Sequence, residues 1–244
     1  MKNNFYLKFI LSFVICISMT GCLELPKTDS GDIGSIHWSY DFESEVLSFS
    51  GTGEIVLGLK EDNNGRYGYH EYSHLTKGVI INEGITGIGR QAFIMFDNMT
   101  TISIPNSVTR IRSEAFHWCS SLISVTIPDG VKSIGSSAFS GCNLLMTVTI
   151  GDAVTTIESM AFSDCWYLNT LTLGKSVDYI GDYAFSGCND LVTVICYAST
   201  PPNFDTFPPF EHPENIELYV PSGSVNAYKN NSNWEKFKSI SAIE

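Results

Sequence analysis

The sequence predicts a solenoid, with short strands stacked coil upon coil into a parallel sheet and a short helical or 3-10 segment on the opposite side. Three observations carry this. The pair Ala-Phe recurs at Ala92-Phe93, Ala115-Phe116, Ala138-Phe139, Ala161-Phe162 and Ala184-Phe185, each step 23 residues with no insertion. In the same frame stand Ile88, Ile111, Ile134, Ile157 and Ile180, then Cys119, Cys142, Cys165 and Cys188 with Phe96 in the first place. Leu122, Leu145, Leu168 and Leu191 follow, led by Met99. Finally, apolar pairs separated by one residue run from Val79/Ile81 through Ile102/Ile104, Val125/Ile127, Val148/Ile150 and Leu171/Leu173 to Val194/Cys196. That period of two marks a strand with one buried face.

Within one unit, Pro105-Asn106-Ser107 or Pro128-Asp129-Gly130 supplies the turn that closes the strand. The later stretch, such as Ile111 to Phe116, offers the helical or 3-10 segment with Ile and Phe pointing inward. A single unit cannot bury its apolar face, whereas a stack of identical units makes a continuous core.

This pattern, I-x-x-I-G-x-x-A-F-x-x-C-x-x-L-x-x-V-x-I-P, resembles the BspA-like leucine-rich repeats of bacterial surface proteins over Gly78 to Cys196. The resemblance implies a right-handed leucine-rich-repeat solenoid with a β-rich N-terminal cap over 33–78, repeats over 79–196, and a degenerate repeat with C-terminal cap over 197–244. Ile36 to Tyr40 and Val46 to Gly53 look like the first cap; Leu218 to Pro221, Val225 to Tyr228 and Trp234 to Phe237 look like the second. Caps shield sheet ends that would otherwise recruit other strands.

Ahead of the repeats, residues 1–21 read as an export signal. Lys2 and Lys8 precede an apolar run from Phe9 to Met19 that is too short to span a bilayer. Met19-Thr20-Gly21-Cys22 resembles the lipobox of bacterial lipoproteins, although Met19 stands where Leu is usual. The resemblance implies acylation of Cys22, a tether over 22–32, and anchoring at the outer membrane or cell surface. Each buried CH₂ of such an anchor adds about 0.8 kcal/mol of membrane affinity. Plain secretion with cleavage after Gly21 would use the same signals.

Composition removes some classes of function. The 244 residues are 43% hydrophobic, which excludes global disorder, and 26 acidic side chains against 14 basic ones give a net charge of −12. Such a body repels phosphate backbones, so no nucleic-acid partner is expected and membrane contact is expected only through the lipid. No cofactor is implied, and a monomer is expected.

Two patterns suggest metal chemistry. Four cysteines in register lie in adjacent coils, but equivalent side chains of a stack point in parallel, whereas a disulfide or tetrahedral zinc needs convergence. They read as packing thiols. His70-Glu71-Tyr72-Ser73-His74 is a literal H-E-x-x-H, which on a helix aims two imidazoles at zinc. Here Gly65 and Gly68 precede it and a strand follows at Val79, leaving about two turns of helix at best. Lys77 and Ile80 occupy the places of the metzincin Gly and third His, and nothing selects Glu83 or Glu114 as a further ligand.

A binding surface remains. Ser103, Thr126, Thr149 and Thr172, flanked by Thr101, Ser124, Thr147, Thr170 and Thr193, form a hydroxyl-rich strand face. Against the repeat's polar background stand His117-Trp118, Trp166-Tyr167, Tyr179 and Tyr183. Exposed Trp and Tyr are common anchors for protein or sugar contacts, and these six are the candidate ligand contacts. The expected function is non-catalytic adhesion to an extracellular host or cell-surface protein. A glycan-binding accessory lipoprotein is the alternative, and a zinc hydrolase using His70, Glu71 and His74 comes third.

Overall fold

In the computed structural model, residues 27–56 and 68–243 are described, so the expected export signal over 1–21 and Cys22 lie outside them. The chain begins with β1 (Thr28–Ile33), β2 (Ile36–Asp41), β3 (Val46–Gly51) and β4 (Gly53–Ile55). Each later coil contributes two strands: β5 (Gly78–Ile81) and β6 (Ile85–Ile88), β7 (Thr101–Ser103) and β8 (Arg110–Ile111), β9 (Ser124–Ile127) and β10 (Ser133–Ile134). Next come β11 (Thr147–Ile150) and β12 (Thr156–Ile157), β13 (Thr170–Leu173) and β14 (Tyr179–Ile180), β15 (Thr193–Cys196) and β16 (Asn203–Phe204). β17 (Glu217–Val220), the short helix α1 (Val225–Lys229) and β18 (Ser239–Ala242) complete the order.

The odd-numbered strands, with β2 and β18, stack as β1-β2-β3-β5-β7 and β9-β11-β13-β15-β17-β18, and the other even-numbered strands as β4-β6-β8-β10-β12-β14-β16. The repeat is the register itself. Val125, Val148, Leu171 and Val194 pair in succession across one sheet, and Ile111, Ile134, Ile157 and Ile180 across the other. Each coil therefore packs on its two neighbours, and only long side chains reach further, as Arg110 and Arg112 do in donating to Glu54 past β6.

The third side differs from the sequence expectation. Where a short helical or 3-10 segment was expected, the inward isoleucines sit on short strands, and the stretch through each Ala-Phe pair is a run of turns. A helix would commit its amide N–H groups to its own carbonyls. Here alternate amides close local three-residue turns, such as Ala115 N–H to the Arg112 carbonyl (3.2 Å), and the others reach the next coil: Phe93 N–H to the Ala115 carbonyl (2.8 Å), Phe116 to Ala138 (2.7 Å), Phe139 to Ala161 (2.7 Å) and Phe162 to Ala184 (2.8 Å). This geometry puts Gln91, Glu114, Ser137, Met160 and Tyr183 in the left-handed region, with φ between 54° and 60°. Roughly 1–2 kcal/mol of strain per residue is offset by the intercoil bonds that it permits.

Beneath the turns runs a ladder of phenylalanine rings. Phe93, Phe116, Phe139, Phe162 and Phe185 are buried and stack face to face at centroid separations of 5.2, 4.8, 5.0 and 5.4 Å. These spacings match the distance between adjacent strands, which is why one aromatic per coil can stack without bending the solenoid.

Both ends depart from the simple repeat. The expected tether is cut short, because Thr28–Ile33 pairs antiparallel with β2 as an edge strand. Gly31 permits this: a Cβ there would come within 2.9 Å of the Trp38 indole. The degenerate segment 197–216 is a complete coil. Phe204 pairs beside Ile180, and Phe210 stacks on Phe185 at 5.2 Å, so both continue the interior ladders at wider sequence spacing. Over it, Trp234 Nε1–H donates to the Pro202 carbonyl (2.9 Å) and Tyr228 O–H to that of Ala198 (2.9 Å). Those two bonds fasten the C-terminal cap.

Candidate functional site: an apolar ridge beside the strand face

The turns that lead into the longer strands carry the most conspicuous surface. Intercoil bonds hold these turns in register, as from Met146 N–H to the Ile123 carbonyl (2.8 Å) and from Tyr167 N–H to that of Asn143 (3.3 Å). Side chains at equivalent positions are therefore one coil apart. Met146 follows Ile123, and Tyr167 follows Leu144, with Trp166 beside it. All five are exposed, Trp166 by 51% and Tyr167 by 49%. Single exposed apolar residues are ordinary, whereas several on adjacent coils make a contiguous patch of the kind that marks an interaction site. Next to the ridge runs the strand face, where Ser124, Thr126, Thr147 and Thr149 are exposed and Thr170, Thr172 and Thr193 half-buried.

The structure treats the other candidates differently. Trp118 is 56% exposed and adopts φ 63°, and its ring lies over Gly141, where a Cβ would meet it at 3.1 Å. It thus covers the neighbouring coil. His117 is half-buried, burial lowers its pKa, and its Nδ1 is enclosed with no hydrogen-bond partner. Tyr179 and Tyr183 are half-buried and have partners within the chain. The Tyr179 O–H donates to Asp205, an interaction that raises the phenol's pKa to about 12, and Tyr183 stacks on Phe207 at 5.0 Å. Both hold the coil that follows. Ile123, Leu144 and Met146 were missed in the sequence, although their columns elsewhere hold Thr100, Ser121 and Asn169 and the departures could have been read.

The H-E-x-x-H stretch lies in a repeat turn. Gly68–Tyr72 is a 3-10 turn one coil before Phe93 and Phe96, and Tyr69 packs against both of those rings. At three residues per turn, positions i and i+4 do not share a face. His70 Nε2 accordingly faces the Ile94 carbonyl at 3.1 Å, while His74 Nδ1 meets Asp97 at 2.8 Å. Glu114 is engaged with Arg90 and Gln91. No group of three potential metal ligands occurs among the described residues.

The cysteine column packs and also bonds. Each thiol donates to the carbonyl of the Phe in the preceding coil: Cys119 to Phe93 (3.2 Å), Cys142 to Phe116 (3.4 Å), Cys165 to Phe139 (3.4 Å) and Cys188 to Phe162 (3.3 Å). All four are free, as is Cys196. Burial pushes the Cys119 and Cys165 thiols well above their ordinary pKa, which disfavours the reactive thiolate.

Fold and surface together define a parallel β-solenoid repeat protein with a contiguous exposed ridge. Residues 65–200 match the model of the BspA type leucine rich repeat region in six copies, and the chain belongs to that family. Proteins of this family are bacterial surface proteins that work through their repeats, and the solenoid fold is typically non-catalytic. No curated protein matches the chain. Among solved structures it is similar to the leucine rich repeat protein of T. pallidum, with 19% identity, a TM-score of 0.54, and coverage of 86% of this chain and 98% of that one. It is also similar to the pneumococcal vaccine antigen PcpA (16% identity, TM-score 0.49, 88% and 66% coverage). A leucine rich cell surface protein of Faecalibacterium prausnitzii is a third (20% identity, TM-score 0.38, 91% and 96% coverage). At these identities the T. pallidum likeness shows the fold alone.

Proposed function

We propose that this chain is an exported, lipid-anchored adhesin-like protein that binds an extracellular protein through the ridge of Ile123, Leu144, Met146, Trp166 and Tyr167. The carrying observation is the exposure of these five side chains on adjacent coils. Exposed aromatics alone would suit a sugar as well as a protein. The three aliphatic neighbours favour a protein, because they offer burial without hydrogen-bonding capacity for sugar hydroxyls. The neighbouring hydroxyl face would supply the polar rim. Anchoring rests on Cys22 and on the resemblance of Met19-Thr20-Gly21-Cys22 to a lipobox.

The test is the double variant Trp166→Ala/Tyr167→Ala against an array of matrix proteins, cell-surface proteins and glycans. It should fold with an unchanged melting temperature and lose at least about 2 kcal/mol of affinity for a protein ligand, as a hot spot does. Retained binding, or a glycan as the only ligand, would overturn the reading. Separately, Cys22→Ser should move the protein from the membrane fraction to the soluble one.

A further inference from the structure

We infer that a second site lies at the C-terminal end of the repeats, in the cleft between segment 204–214 and the C-terminal cap, and that it takes the guanidinium of an arginine side chain on a peptide or protein partner. The cleft measures about 370 Å³, a volume typical of small-ligand sites. Its lining is mixed, with an apolar side made by Phe207 and Pro208, which are exposed, Pro213, which is half-buried, and Phe237, which is buried. Asp205, Glu211 and Glu214 also line it, against one ammonium, Lys236.

Glu214 pairs with His212 at 3.2 Å, whereas Asp205 and Glu211 are held by uncharged donors. The Tyr179 hydroxyl donates to Asp205 Oδ2. Ser186 O–H (3.2 Å) and Gly187 N–H (3.0 Å) both donate to Glu211 Oε2. Its own backbone N–H and His212 hold Glu214 below the usual carboxylate range. The wall is equally pre-set, since Tyr183 stacks on Phe207 and the Phe207 N–H donates to Asp182 Oδ1 at 2.9 Å. A planar cation that stacks on aromatic and proline surfaces and offers a fork of donors to carboxylates fits both features, and the guanidinium is the side chain whose parallel N–H groups match a carboxylate bidentately. An anionic ligand would oppose both the cleft and the chain's net charge of −12.

Calorimetry on the full chain, comparing acetyl-Gly-Arg-Gly-amide with its citrulline counterpart, tests this directly because citrulline keeps the shape and removes the charge. The arginine peptide should bind at least tenfold more tightly. Glu211→Gln/Glu214→Gln should lose at least tenfold. Glu214→Gln alone, at an exposed position, should lose about threefold, which covers the case in which changing Glu211 disturbs the fold. Glu43→Gln in the N-terminal cap should change nothing, and Trp166→Ala/Tyr167→Ala should bind the peptide normally, separating this site from the ridge. Equal affinity for the two peptides, binding of neither, or an equal loss from Glu43→Gln would overturn the assignment, the last by showing only the attraction of an acidic surface.

Discussion

The middle coils and the coil over 197–216 solve one packing problem in two ways. Between Ile111 and Ile180 every position recurs at a constant step, so strand pairs, phenylalanine stacks and thiol bonds are each made by the same atoms in successive coils. The later coil keeps only the interior contacts, with Phe204 beside Ile180 and Phe210 on Phe185. Its surplus residues swing outward, where Tyr179, Asp182 and Tyr183 pin them from the coil below. The difference is instructive. A solenoid tolerates insertion as long as its inner rungs are filled, and the inserted chain becomes surface. Uniform coils make a flat face and a ridge, whereas the irregular coil makes the cleft.

The largest expected effect comes from removing one inner rung in each region. Phe139→Ala should cost about 3–5 kcal/mol through the cavity it leaves. Because each coil packs on its two neighbours, it should also divide calorimetric unfolding into two transitions rather than lower one. Phe210→Ala should release the C-terminal cap first and leave the main transition of the repeats in place. A single intact transition for both variants would mean that the two regions are not energetically distinct.

A middle-sized effect is expected at the clamp. Tyr183→Ala removes the stack on Phe207, worth about 0.5–1.5 kcal/mol. Hydrogen exchange should accelerate over 204–210 and stay unchanged at the amides of Phe116, Phe139 and Phe162. Acceleration throughout would show that the clamp supports the whole stack.

The smallest is a contrast in thiol access. Cys119, Cys142, Cys165 and Cys196 are buried, and Cys188, at the edge of the irregular coil, is partly exposed. Under native conditions a maleimide should label Cys188 ahead of the other four. Equal rates at all five would show that the middle coils open as readily as the last one.

Much of this was legible because each coil has the same environment as its neighbours, so identical chemistry at a constant step translates directly into contact. The strand pairing, the buried Ile, Phe and Cys columns and the packing role of the thiols followed from that. The third side, expected as a short helical or 3-10 segment, is a run of turns, because alternate amides bond to the next coil, a partner visible only across the stack. Tyr179 and Tyr183 stand out from the polar background as strongly as Trp166 and Tyr167 do. Their partners Asp205 and Phe207 lie in a coil whose register the insertions hide.

The sequence by itself determined the solenoid, its step and its interior, since those depend on residue type repeating at fixed spacing. Only the tertiary structure decided which departures from the repeat reach solvent. Trp118, Trp166 and Tyr167 all stay about half exposed, Trp118 with its ring edge over Gly141, whereas Tyr183 is capped by Phe207. Exposure is a property of what the next coil places above a side chain, and a repeat pattern carries that information only where the next coil is regular.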